Sequence, residues 1–251
     1  MSTLFDLTGK VALVTGASTG LGAGMALGLA EAGADLVLVD IVDSAGTAKK
    51  ANALGRKATV IIEDLSRMNG VSNVVTKGVS AFGKVDILVN NAGIIRRTPA
   101  IDFSEKDWDD VMAINAKTVF FLSQGLARDM MKRKSGKIIS VASLLSFQGG
   151  ITVPSYAASK GAVAQITRSL ANEWAQHGIN VNAIAPGYMV TNNTENLRKD
   201  PVRFNSITER IPAGRWGMPE DLQGAVVFLA SRASDYVHGH VLIVDGGWMG
   251  R

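Results

Sequence analysis

The chain of 251 residues predicts an α/β fold of the doubly wound kind, a parallel sheet covered by helices on both faces. Three observations carry this. Short β-branched, apolar runs recur along the chain, segments of helical length and periodicity separate them, and the runs are apolar throughout, as strands buried on both faces must be.

The runs begin with "VALVT" at 11, "LVLV" at 36 and "ATVII" at 58, and continue with "DILVN" at 86, "KIISV" at 137, "INVNAI" at 179 and "VLIV" at 241. Helical periodicity fills 21–32, 67–82, 104–131, 156–176 and 219–230, the last opened by Pro219. Strands that alternate with helices join by right-handed crossovers, which gives a Rossmann-like sheet of seven parallel strands. No repeat, low-complexity segment or Pro/Gly-rich linker divides the chain, so residues 1–251 are expected to form one domain. The one long irregular stretch, about 185–218, is expected to be a substrate lid with short helices of its own.

The absence of cysteine excludes disulfides, thiolate catalysis and sulfur-rich metal sites, and suits a reducing cytoplasm. The opening "MSTLFDLTGK" lacks a basic region followed by an apolar stretch, so no secretory signal is expected. Residues 11–30 carry no charge, but five glycines and several hydroxyls read better as strand, turn and core helix than as a membrane span. The net charge of +4, from 26 basic and 22 acidic residues, is spread along the chain. Its densest patch, "KRKSGK" at 132–137, falls where a helix should end and where cations complement the dipole. A solvated helix end is the expectation there, with no nucleic-acid partner.

"VALVTGASTGLG" closes the first strand and opens a helix, with glycines at 16, 20 and 22. Such a turn lets backbone approach a pyrophosphate, whose charge a helix N-terminus stabilises. Asp40 ends the second strand twenty residues after Gly20, where a carboxylate accepts hydrogen bonds from the adenine-side ribose and repels a 2′-phosphate. No Arg or Lys follows in "DIVDSAG", so NAD is the expected cofactor.

In "SYAASK", Tyr156 and Lys160 stand four apart, neighbours on one helical face. A free phenol, pKa near 10, is too weak a base at neutral pH. An ammonium about 4 Å away, in an effective dielectric of about 20, contributes about 4 kcal/mol and lowers that pKa by roughly three units, toward the range useful for a general base.

The glycine turn, "NNAG" at 90–93 and the Tyr-x-x-x-Lys pair, in that order, resemble the short-chain dehydrogenase/reductase family over essentially the whole chain. The resemblance implies a catalytic set of Asn115, Ser143, Tyr156 and Lys160. Tyr156 would exchange the proton, Ser143 hold the reacting oxygen, Lys160 bind the nicotinamide ribose, and Asn115 position water for a proton relay. Ala142 stands where a second family serine often sits. The resemblance also implies that NAD lies along Gly16, Ser18, Thr19, Gly20, Leu21 and Gly22, then Asp40 and Ile41, Asp64 and Leu65, and Asn91, Ala92 and Gly93. Pro186, Gly187, Met189 and Thr191 would complete the nicotinamide end.

Segments such as "FSEKDWDDV", "RIPAGRWGMPEDL" and "DGGWMGR" are similar to family members that act on small sugar acids. Acyl carrier-protein ketoreduction and a non-catalytic nicotinamide-binding role remain alternatives. A sugar acid calls for a cation, and Arg96 and Arg97, just past "NNAG", are the candidates, with Arg215 a third. Gln148, Tyr188 and Asn192 are placed to meet hydroxyls. The resemblance implies a homotetramer built on the helices near 104–131 and 156–176. No metal site is expected, since "HGH" at 238–240 offers two imidazoles without a third ligand. Trp108 and Trp174 read as packing residues, while Trp216 and Trp248 are open to packing or substrate contact.

Overall fold

The structure, a computed structural model, describes residues 3–251. Among them one seven-stranded sheet runs β3-β2-β1-β4-β5-β6-β7, every neighbouring pair parallel. The strands are β1 Val11–Thr15, β2 Asp35–Asp40, β3 Ala58–Ile62, β4 Ile87–Asn90, β5 Gly136–Val141, β6 Ile179–Pro186 and β7 Val241–Val244. The predicted doubly wound, Rossmann-like fold is the fold observed.

The two faces of the sheet use alternate residues of each strand. Leu13, Val37, Leu88, Ile138 and Val181 meet the buried sides of α3 (Met68–Phe82), α5 (Thr118–Arg133) and α6 (Pro154–Trp174). Val14, Leu36, Leu38, Val89 and Ile139 meet α1 (Gly20–Glu31) and α9 (Gln223–Ala230). Both faces are covered, which is why the strands read as unbroken apolar runs.

The helices depart from the sequence reading in three places. The segment α2 (Ala45–Ala53), unanticipated, buries Thr47, Ala48 and Ala51. Such small side chains leave little apolar periodicity to detect. The expected helix over 104–131 is α4 (Glu105–Met112) and α5, joined by a π-helical turn at Ala113–Lys117. The last expected helix begins as a 3₁₀ turn at Pro219–Leu222 before α9. The long segment at 185–218 does carry helices of its own, α7 (Glu195–Lys199) and α8 (Pro201–Arg210).

The uncharged stretch at 11–30 is β1, a turn and α1, and no helix among the described residues is long and apolar enough to cross a membrane. The basic patch at 132–137 is more paired than solvated. Lys134 closes α5 in the left-handed conformation (φ 52°), and Lys137 pairs with Asp235 at 2.7 Å. Arg133 bonds Asp86 at 2.9 Å and Asp129 at 2.8 Å.

Asp86 is the centre of that arrangement, only 5% exposed. It also accepts from the Val11 amide at 3.0 Å and meets Lys84 at 2.9 Å, so one carboxylate ties β1, the start of β4 and the end of α5. Its removal leaves the Val11 amide without its acceptor and takes one of three partners from the half-buried Arg133 guanidinium. Asp86→Ala is expected to cost about 3 kcal/mol in urea unfolding, against less than about 1 kcal/mol for Asp235→Ala, whose carboxylate is exposed.

Candidate active site

The sheet order reverses between β1 and β4, and a cleft opens where their carboxyl ends diverge. The two ends are first laced together. Thr15 Oγ1 accepts from the amides of Asn91 and Ala92, each at 3.0 Å, and the Asn91 side-chain amide donates to the carbonyls of Thr15 at 2.9 Å and Gly16 at 3.1 Å.

So close an approach leaves no room for side chains. A Cβ on Gly22 would collide with the Gly16 carbonyl and the Asn91 amide, while Gly16 and Gly20 adopt φ of +65° and +57°. Gly22 therefore lies behind the cleft, where it permits the packing of α1. No side chain caps the first turn of α1 and no acid lies within it, so the positive end of its dipole faces the cleft. That is the donor arrangement a pyrophosphate requires.

The cleft, about 380 Å³, is lined by Gly16, Ser18, Thr19, Gly20 and Leu21, then by Asp40, Ile41, Asp64 and Leu65. Asn91, Ala92, Gly93, Thr191, Tyr156 and Lys160 complete the predicted part of the wall. Asp40 is held by three backbone amides, Ser18 at 2.9 Å, Ile41 at 2.7 Å and Val42 at 3.4 Å. The Ser66 backbone amide and side chain, both bonded to Asp64, hold its carboxyl below the usual carboxylate pKa. A dinucleotide fits this site in polarity and in backbone clearance.

Pro186, Gly187, Met189 and Asn192, too, stand elsewhere than expected. Pro186 and Gly187 line a second cavity, beyond Tyr156, and Met189 is buried in the core at 4% exposure. Asn192 lines the cofactor cleft, and its neighbour Asn193 reaches the second cavity. The turn at Asn192–Thr194 decides which amide faces which side.

At the chemical end, α6 presents Tyr156 and Lys160 one turn apart, and Ser143 lies two residues past the end of β5. Ser143 accepts from the Leu145 amide at 3.1 Å and shares a side-chain hydrogen bond with Tyr156. Ser146 fastens this loop to α6, donating to the Lys160 carbonyl at 2.6 Å.

The charge balance differs from the sequence expectation. Lys160 is buried, 5% exposed, and its ammonium donates to the Val141 carbonyl at 2.5 Å, with Nζ 5.5 Å from the centre of the Tyr156 ring. Burial pulls the Lys160 pKa down to about 8. Burial pushes the Tyr156 phenol above its ordinary value, opposed in part by the Ser143 hydrogen bond and the charge of Arg97. The protein alone therefore does not produce the three-unit lowering expected from the pair. The ammonium is spent on a carbonyl and desolvation outweighs its field.

Asn115, 1% exposed, sits in the π-helical turn. Its Oδ1 accepts from the Ile94 amide and its Nδ2 donates to the Ile94 carbonyl, both at 2.9 Å, and to Ser159 Oγ at 3.1 Å. Ser159 in turn donates to the Tyr156 carbonyl at 2.8 Å. The side chain thus positions the segment after "NNAG" relative to the catalytic helix. Sequence reasoning missed Ser159, one residue from Lys160 and buried.

Beyond Tyr156 lies the second cavity, about 440 Å³. Ser143, Gln148, Tyr188 and Arg97 line it as expected, while Arg203, Arg210 and Trp248 were unanticipated as a set. Arg96 turns away to Asp107 (3.3 Å). Arg215 forms a bidentate pair with Asp221 at 2.7 and 2.8 Å, which holds that acid down to about 2, so it too is absent from the wall. Trp174 is buried as expected, whereas Trp108 is 41% exposed and belongs to none of the core clusters. Trp216 and Trp248 are buried together with Tyr188. His238 faces the Asn180 amide at 3.2 Å, and among the described residues no three His, Cys, Asp or Glu gather to hold a metal.

A dinucleotide cleft at the switch point, opening onto a Ser-Tyr-Lys centre, is the arrangement of an oxidoreductase that moves a hydride. The chain belongs to the short-chain dehydrogenase/reductase family, and residues 16–249 match the family model described as "Enoyl-(Acyl carrier protein) reductase". It is 63% identical to the 2-dehydro-3-deoxy-D-gluconate 5-dehydrogenase of Dickeya dadantii (strain 3937) and 58% identical to that of Escherichia coli (strain K12). Each alignment covers 98% of both chains. A crystal structure of a gluconate 5-dehydrogenase from Burkholderia cenocepacia J2315 in complex with NADP and tartrate superposes with a TM-score of 0.95. The two chains share 40% identity over 99% of this chain and 98% of the other.

Buried Lys160 carries a pH signature. The fold releases its proton at about 8 and an unfolded lysine at 10.5, so between those values the unfolded chain binds more protons and stability rises with pH. Below that window the buried ammonium costs up to about 3 kcal/mol. Urea unfolding should therefore show wild type gaining more stability from pH 7.5 to 9.5 than Lys160→Met. Equal slopes would remove the assignment.

Proposed function

We propose that this chain is a cytoplasmic, homotetrameric, NAD-dependent dehydrogenase that interconverts 2-dehydro-3-deoxy-D-gluconate and its 2,5-diketo form. The observation that carries the reading is the charge on either side of Tyr156. Asp40, Glu63 and Asp64 line the adenine end of one cavity, where Lys160 is the single cation. Arginines and no carboxylate line the other. The first favours ribose hydroxyls over a ribose phosphate, and the second favours an acid. The relatives named 2-dehydro-3-deoxy-D-gluconate 5-dehydrogenase support the same substrate.

The bound nicotinamide supplies the hydride acceptor. Tyr156 takes the hydroxyl proton in oxidation and returns it in reduction, and the Ser143 hydroxyl holds the reacting oxygen. Because burial keeps the phenol protonated at neutral pH, Tyr156 is ready as the acid of the reductive direction, and oxidation should quicken toward alkaline pH. Lys160 holds the ribose and supplies positive charge beside the phenol. Asn115, through Ser159, keeps α6 aligned with the segment after "NNAG", and a water relay at this turn belongs to the proposal.

A screen of 2-dehydro-3-deoxy-D-gluconate, gluconate and 3-ketoacyl thioesters with each nicotinamide cofactor, followed by absorbance, tests the reading. The first acid with NAD should give the highest kcat/KM, and preference for a thioester would overturn it. Asp40→Ser should weaken NAD use and improve NADP use, and a parent enzyme equally efficient with both would refute the role of Asp40.

Arg97 is the arginine of the adjacent pair that meets the substrate carboxylate. Arg97→Met should raise KM for the sugar acid by the equivalent of about 2 to 4 kcal/mol. Arg96→Met, which loses only an exposed pair with Asp107, should change it little. The reverse ranking would place the carboxylate elsewhere.

A further inference from the structure

The cavity beyond Tyr156 carries more positive charge than a monocarboxylic acid requires. Arg97, Arg203 and Arg210 line it and no aspartate or glutamate does. Among the described residues no carboxylate pairs with any of the three. If Arg97 holds one carboxylate, two guanidinium groups on the lid remain without an anion.

Those two belong to one helical face. Residues 203, 206, 207 and 210 follow the spacing of a single stripe on α8, and all four line the cavity. The helix is fastened to the lid's aromatic cluster, so the stripe is held in place. Phe204 stacks on Trp216 with centroids 5.6 Å apart and planes 11° from parallel, and Trp216 Nε1 donates to Thr208 Oγ1 at 2.9 Å. Arg210 is steadied again by Trp248, its guanidinium carbon 4.0 Å from the ring centre. An aromatic face steadies a guanidinium without consuming its N–H donors, which stay available for an anion. Seven residues of helix separate Arg203 from Arg210 by about 10 Å along the axis, so one small anion is not shared between them.

We propose that this face of α8 is a second anion subsite, which takes the distal carboxylate or phosphate of a dianionic sugar acid whose first carboxylate lies on Arg97. It rests on reading this cavity as the substrate site. Dianionic sugar acids then bind more tightly than the monocarboxylate of the same length and compete with it.

The test is calorimetric titration of the full chain, saturated with NADH, with D-gluconate, D-glucarate and 6-phospho-D-gluconate. At least one dianion is expected to bind about ten-fold more tightly than gluconate, the scale of one added charged hydrogen bond. Glucarate ahead identifies a carboxylate subsite, and phosphogluconate ahead a phosphate subsite. The dianion-to-gluconate ratio should fall toward one in Arg210→Met or Arg203→Met and fall less in Arg210→Lys, with folding of each variant checked by NADH fluorescence. No advantage for either dianion, or an advantage that survives in both methionine variants, overturns the subsite. Turnover of 2-dehydro-3-deoxy-D-gluconate with NAD, measured on the same preparation, separates the two readings. Its absence beside a retained dianion advantage removes the proposed reaction alone, and its presence without that advantage removes the subsite alone.

Discussion

The structure depends on the contact between the ends of β1 and β4. A parallel sheet that reverses its winding must part its strand ends, and the gap becomes a cleft only if something keeps the two strands together just below it. Thr15 does this from one side and Asn91 from the other, through four hydrogen bonds between the strand ends. The missing side chain of Gly22 lets α1 start directly above. The same crowding that forbids a Cβ there sets the height at which the uncapped end of α1 faces the cleft, so cofactor binding and strand packing share one set of atoms.

A second constraint lies at the other end of the cleft, where the fold keeps a lysine in a place that disfavours its charge. Lys160 is satisfied by one carbonyl of β5 and otherwise desolvated, which accounts for the fall of its pKa to about 8. Tyr156 suffers the same burial with the opposite sign of response, because for a phenol the charged form is the deprotonated one. Burial thus moves the two groups apart in proton affinity, the phenol rising from 10.0 while the ammonium falls from 10.5 to about 8, so each neutral form is favoured.

Much of this was legible in the sequence, for physical reasons that also explain the gaps. The strands were readable because burial on both faces leaves nothing but apolar residues in them, and the glycine turn because only glycine survives the contacts it makes. The helix α2 was hidden because a helix that buries alanine and threonine shows no apolar stripe. The π-helical turn was hidden because one extra residue in a turn scarcely disturbs the periodicity on either side. Arg96 and Arg97 are chemically the same in sequence, and only the position of Asp107 decides which one stays with the cavity. Arg203 and Arg210 belong to no motif. Their stripe on α8 could have been drawn, but that it faces the cavity follows from the contacts of Phe204 with Trp216 and of Arg210 with Trp248.

The division of charge across Tyr156 also bears on the direction of the chemistry. A sugar acid that entered the cofactor cleft would meet Asp40 and Asp64, whereas in the neighbouring cavity its carboxylate meets Arg97. Arg97 is also one of the two groups that hold down the Tyr156 pKa. A carboxylate bound to Arg97 cancels part of that field, so binding the substrate raises the proton affinity of the phenol that is about to act on it. Reduction then finds the phenol already holding its proton. On the proposed reading, the arginine that would select an acid also tilts the site toward proton donation, so substrate recognition and proton transfer would share this cavity.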